Sequence, residues 1–211
     1  MRGLDETTQL LTELGDRFDR IAVACSFQKE AVVIAHLVSE HLPQATFFTL
    51  DTGLFFPETY ETWQALEGRL GITVEGRRGI SLEEQAALHG EELWKTQPDR
   101  CCDLRKVRPL REHLAEADVW VAGLRRDQSA ERADTPRLGW DAKHGLWKAA
   151  PLADWTERDV WNHIFEHDLP YHPLHDRGYA SIGCEPCTKP GDAREGRWAG
   201  TDKIECGLHA A

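Results

Sequence analysis

Four cysteines of this 211-residue chain come in two close pairs, Cys101-Cys102 and Cys184-Glu-Pro-Cys187. A C-x-x-C spacing lets two thiolates reach one metal centre, and a second pair completes four ligands. Neighbouring residues do not readily converge on one small ion, whereas an iron–sulfur cubane offers separate iron corners. Spacing alone therefore favours a cluster slightly over a four-thiolate zinc ion, and both stay open. A thioredoxin-type redox C-x-x-C opens a helix after a strand, whereas SIGCEPCT (181–188) sits in an aperiodic, proline-flanked segment. Cys25 lies inside an apolar run and reads as a small buried residue. Cys206 stands apart, five residues from the end in IECGLHAA, with His209 three positions on.

The elements that carry these residues alternate in the manner of an α/β protein. Apolar runs at 20–26, 45–51 and 71–75 read as strands, and helical patterns follow at 29–41, 57–70 and 81–90. Pro57 suits a first helical turn, and Ser81 with Glu84 forms a Ser-x-x-Glu capping box. Residues 103–117 read as a helix with a bend or new start at Pro109. A fourth strand is expected at 118–124, a weaker fifth at 146–152, and a threonine-capped amphipathic helix at 156–168. From Leu169 onward periodicity gives way to Gly, Pro and Arg. The expectation is an α/β fold, a mostly parallel sheet flanked by helices, with one domain over 1–198 and a tail over 199–211.

In such a sheet the site lies beyond the C-terminal ends of the strands. The loops there are CSFQKE (25–30), DTGLFFP (51–57) and GLRRDQS (123–129), all polar, the last with two adjacent arginines. A serine-containing strand-to-helix turn can present backbone N–H groups to an anion. SFQKE nevertheless lacks the glycines of a standard phosphate loop.

Acidic residues outnumber basic ones 36 to 25, giving a formal charge of −11. That argues against nonspecific nucleic-acid binding but leaves room for a local anion site. No run approaches the ~20 apolar residues of a membrane span, and MRGLDE at the N-terminus lacks the apolar run of a secretory signal. The chain is therefore expected to be cytoplasmic, where cysteines stay reduced and serve metals or catalysis.

Six blocks together resemble the assimilatory sulfonucleotide reductases. They are LDTGLFFPET (50–59), CCDLRKVRPL (101–110), GLRRDQS (123–129), PLADWTERDVWNHI (151–164), LPYHPLHDRGYASIGCEPCT (169–188) and IECGLH (204–209). Carrying both CC and C-x-x-C is similar to the iron–sulfur members, which prefer adenylyl sulfate (APS) over its 3′-phosphorylated form (PAPS). The resemblance implies an adenine-nucleotide alpha-hydrolase-like fold with a modified PP-loop. It also implies one 4Fe-4S cluster per chain on Cys101, Cys102, Cys184 and Cys187, with no flavin or nicotinamide. The implied activity is thioredoxin-dependent reduction of APS to sulfite and AMP in sulfate assimilation. Reduction of PAPS, or of both nucleotides, is the alternative. A noncatalytic metal and thiol redox sensor is the remote one, and it leaves the LDTG block and the arginines without a purpose.

On this resemblance Cys206 is the nucleophile, attacking sulfur with AMP as leaving group to form Cys206–S–SO₃⁻. A dithiol of thioredoxin or glutaredoxin then releases sulfite, supplied from outside because no thioredoxin-like domain is appended. A mobile tail suits a thiol that must meet a nucleotide and then a protein reductant. Arg125, Arg126, Arg194 and Arg197 are expected to clamp the phosphosulfate, with Asp127 and Glu195 orienting them. Ser26, Asp51, Thr52 and Gly53 are expected to hold adenosine and the α-phosphate, and Lys29 is a weaker candidate. Lys106, about one helical turn after Cys102, is expected to link cluster and substrate. His209 is expected to tune the Cys206 thiol or shape the closed tail. A homo-oligomer is implied by the family alone.

Overall fold

The structure, a computed structural model, describes residues 2–203 and 205–209. In chain order it runs α1 (Arg2–Arg17), β1 (Ile21–Ala24), α2 (Lys29–His41), β2 (Thr46–Leu50), α3 (Pro57–Leu70), β3 (Val74–Arg77) and α4 (Leu82–His89). The short α5 (Leu93–Thr96) and α6 (Pro98–Cys102) lead into a π-helical turn (Asp103–Val107) and α7 (Arg108–Leu114). Then come β4 (Val119–Val121), β5 (Leu138–Asp141), β6 (Leu146–Ala149) and α8 (Glu157–Glu166). Among the described residues no helix is long and apolar enough to cross a membrane.

The six strands lie in the order β3-β2-β1-β4-β6-β5, and every neighbouring pair is parallel except β5 with β6. β1 takes a central position because Ile21, Ala22 and Val23 are apolar and buried in succession. Val23 sits opposite Phe47 on one side and Val121 on the other. The chain moves outward from β1 through β2 to β3 and then returns to β4. Strand order thus reverses between β1 and β4, where an open α/β sheet forms its crevice. The mostly parallel α/β sheet expected from the sequence is the one observed. The strand that periodicity did not reveal is β5, four residues long, with Trp140 exposed and β6 as its pairing partner.

Local chemistry sets the helix ends. α3 starts at Pro57 and stops at Gly71, whose φ is 65°. Ser81 with Glu84, and Thr156 with Asp159, form complete capping boxes that satisfy first-turn N–H groups. The bend expected near Pro109 takes the form of the π turn. Pro109 has no N–H for the Arg105 carbonyl, and its ring would press on that oxygen in a regular helix. The widened turn relieves both before α7 begins. Gly79 makes room for it, since a Cβ there would lie 2.2 Å from the Leu104 carbonyl oxygen.

Three imidazoles meet between α2 and α8. His36 Nδ1 and His163 Nε2 are 3.1 Å apart, and the His167 ring lies 4.7 Å from His36 and 4.3 Å from His163. Burial lowers the His163 pKa to about 4, with repulsion from His167 and His36 adding to it. An unfolded histidine takes up its proton near pH 6.5. The unfolded state therefore binds more protons below that pH, and stability falls as pH drops from about 6.5 to about 4. Denaturant unfolding across this window should show His163 contributing a loss of ~3 kcal/mol, and H163Q should flatten the slope by about one proton. Parallel pH slopes for the two proteins would contradict the assignment.

Candidate active site

The C-terminal ends of β1 and β4 open into a cavity of ≈ 250 Å³. Ser26 reaches it from the turn after β1, Arg125 from the loop after β4, and Lys106 from the π turn. Arg194, Arg197, Cys206 and His209 reach it from the C-terminal segment. The turn after β1 is sharp, with Phe27 at φ 58° and its ring fully buried against Trp63, centroids 5.2 Å apart. Glycine would take that φ without strain. Here the buried ring offsets it, so a turn without glycines still closes tightly.

The cations of the cavity are held by different partners. Arg125 is buried between Glu30 and Asp127, with Nε donating to Asp127 Oδ1 at 2.8 Å, while Glu195 is exposed. Lys29 is buried, donates to the Ala180 carbonyl at 3.0 Å and pairs with Glu157 at 3.1 Å. Arg197 is buried over Trp198, its guanidinium carbon 4.5 Å from the ring centroid. One of its amino groups donates to Ser181 Oγ (3.3 Å) and the Ile182 carbonyl (3.2 Å). Among the described residues its Nε meets no hydrogen-bond partner. Gly183 admits this guanidinium, because a Cβ there would sit 2.2 Å from it. A bound anion is the natural acceptor for the unpartnered Nε.

Arg126 does not join this group. Its Nε donates to the Thr135 carbonyl at 2.9 Å and its guanidinium pairs with Asp154, outside the cavity lining. Arg125 has extended backbone, φ −124° and ψ 147°, and Arg126 opens a 3₁₀ turn (Arg126–Gln128), so the chain direction changes between the two side chains.

A second, smaller cavity is lined by all four paired cysteines together with Thr52, Arg105 and Trp198, and Lys106 lines both cavities. Cys101 and Cys102 close α6, and Cys184 and Cys187 flank a short 3₁₀ turn. Among the described residues no three His, Cys, Asp or Glu side chains converge as they would on a single metal ion. All four thiols line one cavity, a donor set whose chemistry fits an iron–sulfur cluster. Burial pushes the thiols of Cys101 up to about 12 and Cys187 up to about 11. At Cys184 burial is outweighed by the Lys106 ammonium and by the Thr52 hydroxyl 3.3 Å away, and its thiol is held below the usual value. Burial disfavours the Lys106 charge in turn, but the sulfurs of Cys184, Cys206 and Cys102 hold its pKa above the ordinary lysine value.

Of the 51–53 turn, Thr52 lines this second cavity, and Asp51, Thr52 and Gly53 are all outside the lining of the first. The Asp51 carboxylate is fully engaged, accepting from the Gly53 N–H (3.0 Å), the Tyr60 hydroxyl (2.9 Å) and Arg78 Nε (2.8 Å). Arg105, which the sequence presents as one more basic helix residue, is buried. It donates to Gln85 Oε1 (2.7 Å) and to the carbonyls of Thr52 (2.7 Å) and Ser81 (3.2 Å). It thereby ties the π turn to the 51–53 turn and the start of α4.

Of the described tail residues, Glu205, Cys206, Leu208 and His209 line the larger cavity. Glu205 accepts from Arg132 at 3.2 and 2.9 Å and from Arg194 at 3.0 Å. Lys143, in the turn between β5 and β6, donates to the Gly207 carbonyl. Leu208 packs against the cluster that contains Leu110 and Trp120. The His209 ring stacks on Trp120 with centroids 5.2 Å apart and 15° between planes. Burial drives the His209 pKa well below the usual value, with Lys148, Arg132 and Arg194 adding repulsion. Of the tail expected over 199–211, residues 204, 210 and 211 lie outside the described residues. Arg132, Glu205 and Trp120 went unread in the sequence: two sit in aperiodic chain, and Trp120 reads as an ordinary strand residue.

Residues 20–190 match the Phosphoadenosine phosphosulfate reductase domain family. Curated relatives named adenosine 5′-phosphosulfate reductase include one from Salinibacter ruber, 50% identical over 92% of this chain and 79% of that protein. Another, from Bacillus cereus strain Q1, is 45% identical over 97% of this chain and 92% of that protein. A solved phosphoadenylyl-sulfate reductase from Candida auris, in a phosphate complex, matches with TM-score 0.77 and 27% identity, covering 87% of this chain and 90% of that one. An FMN adenylyltransferase from Candida glabrata matches with TM-score 0.65 and 14% identity, over 90% of this chain and 65% of that one, a likeness of fold alone. The family match spans the whole sheet and all four paired cysteines, and the chain belongs to the phosphoadenosine phosphosulfate reductase family.

Proposed function

We propose that this chain reduces adenosine 5′-phosphosulfate to sulfite and AMP, with Cys206 as the nucleophile. One observation above all supports the reading: Cys206 lines the cavity that also receives Arg125, Arg194, Arg197 and Lys106 at the reversal of strand order. The cavity is apolar where Phe48, Leu110 and Trp120 line it and cationic where the arginines and Lys106 do. That division suits a ligand with a flat base at one end and an anionic group at the other. The naming of the relatives that share 45 to 50% of its residues favours the unphosphorylated nucleotide.

The Cys206 thiolate attacks the sulfonyl sulfur of APS, forming an S–S bond as the S–O bond to AMP breaks. AMP departs with that electron pair, leaving Cys206–S–SO₃⁻. The buried guanidiniums and Lys106 stabilise the charge on both oxygen-rich groups without having to reorganise. A thiolate of an external dithiol then attacks the Cys206 sulfur, and sulfite leaves with the S–S pair. The second external thiol resolves the mixed disulfide, so the dithiol supplies both electrons and Cys206 is restored. The other cysteines of this chain are not free for that task, since Cys25 is buried with its thiol pushed up to about 12 by burial and the remaining four share the second cavity. Thioredoxin fits that requirement, and a reducing cytoplasm is the setting that keeps it reduced.

Cys101, Cys102, Cys184 and Cys187 would hold a 4Fe-4S cluster, with Lys106 between it and the substrate cavity. Bound there, the cluster would supply a fixed local charge and a tie between α6 and the C-terminal segment. Lys106 keeps its ammonium at the wall of the substrate cavity, where it draws in the anionic end of the nucleotide.

Protein purified without oxygen should contain about four irons per chain and release sulfite from APS with reduced thioredoxin, PAPS being the poorer substrate. A zinc protein that releases no sulfite would overturn the reading. C206S should still bind AMP, and intact-mass spectrometry should find no sulfonate adduct on it. R197Q should lose about 10- to 100-fold in kcat/KM, the worth of a charge-assisted hydrogen bond. R126Q should lose less, since its guanidinium is engaged elsewhere, and equal losses would show that Arg126 reaches the anion.

A further inference from the structure

Arg132 and Arg194 arrive from different segments, one from the 3₁₀ turn Ala130–Arg132 after β4, the other from the loop between the C-x-x-C and the tail. Each bears a full positive charge, and Arg132 repels Arg194 across the gap between them. The Glu205 carboxylate fills that gap: one oxygen accepts two N–H groups of Arg132 and the other accepts from Arg194. The three side chains are only 11%, 20% and 17% exposed for Arg132, Arg194 and Glu205, so solvent and salt screen them weakly. Arg132 also donates to Gln128 Oε1 at 2.6 Å, and that oxygen accepts the Arg125 N–H at 3.1 Å. The network thus runs from the substrate loop into the tail. Beyond Cys206, Lys143 holds the Gly207 carbonyl and Trp120 receives the His209 ring. The nucleophile is suspended between two gripped points, and Glu205 is its immediate neighbour.

We propose that Glu205 is a positioning residue for the reaction: its carboxylate, bridging Arg132 and Arg194, docks the tail so that Cys206 faces the anion site. This rests on the assignment of Cys206 as nucleophile. The bridge divides the two arginines of the 194–197 segment between two tasks. Arg194 is committed to the tail, and Arg197, with its unpartnered Nε, meets the ligand. The same bridge must break before a reductant can reach Cys206, so its loss acts in opposite directions on the two half-reactions.

The test begins with the iron-loaded protein and no nucleotide, following carbamidomethylation of the Cys206 peptide by iodoacetamide with mass spectrometry. E205Q should react about 10- to 100-fold faster than the wild type, the range that a charge-assisted hydrogen-bonded pair controls. R132Q, approaching the bridge from its other side, should do the same, and E205Q/R132Q should react no faster than either alone. In rapid-mixing experiments E205Q should form the sulfonate adduct from APS more slowly, and reduced thioredoxin should release sulfite from that adduct faster. Wild-type alkylation rates in both single variants would overturn the proposal. So would weaker AMP binding caused by R132Q in a C206S background, which would place Arg132 on the ligand. The alkylation readout involves no nucleotide, so it stands or falls separately from the assigned reaction.

Discussion

The ammonium of Lys106 is buried in the wall between two cavities, and the site on either side is arranged around that burial. An ammonium out of water is costly unless charge or hydrogen bonds meet it. Here the sulfurs of Cys184, Cys206 and Cys102 do so, one group belonging to the tail and two to the thiol-lined cavity. The π turn brings Lys106 to this point. A proline that cannot donate to Arg105 widens the turn, and Arg105 itself is then locked to Gln85, Ser81 and the Thr52 carbonyl. The thiol-lined cavity and the larger cavity are therefore one electrostatic unit.

An acidic chain can build such a cationic pocket because four of the six lysines and arginines that line it meet carboxylates. Arg125 has Glu30 and Asp127, Lys29 has Glu157, and Arg132 and Arg194 share Glu205. These pairs hold the guanidiniums in place before any ligand arrives, the condition under which dipoles and charges stabilise developing charge most effectively. Arg197 is treated differently. Its Nε is buried without an acceptor among the described residues, a cost that a bound anion would remove.

The tail is held by polar and stacking contacts more than by apolar burial. Its partners come from the loop after β4, the 194–197 segment, the turn between β5 and β6, and Trp120 of β4. Contacts of this kind open at small free-energy cost compared with a packed core. The β5–β6 hairpin, whose outer strand β5 forms one edge of the sheet, supplies through its turn one jaw of that grip.

Much of this was legible along the chain. Apolar runs marked five of the six strands, the capping boxes at Ser81 and Thr156 marked helix starts, and the cysteine spacing marked the thiol cavity. These signals are local, because a strand, a cap or a C-x-x-C is written within a few residues. Family-like blocks further pointed to Cys206, Lys106 and the arginines. What the chain alone could not tell was which neighbour each side chain would meet. Arg125 and Arg126 are adjacent and identical, yet the 3₁₀ turn that opens at Arg126 leaves one in the cavity lining and the other out of it. Asp51 and Thr52 read as ligands of a nucleotide, and only folding shows that Thr52 lines the second cavity while Asp51 is held by Gly53, Tyr60 and Arg78. Glu205 and Arg132, 73 positions apart, have no sequence relation that predicts their bridge. Composition and spacing determined the fold class and the chemistry available to this protein. Only the tertiary structure decided which charges neutralise one another and which remain open, because pairing depends on distances between segments that folding alone brings together.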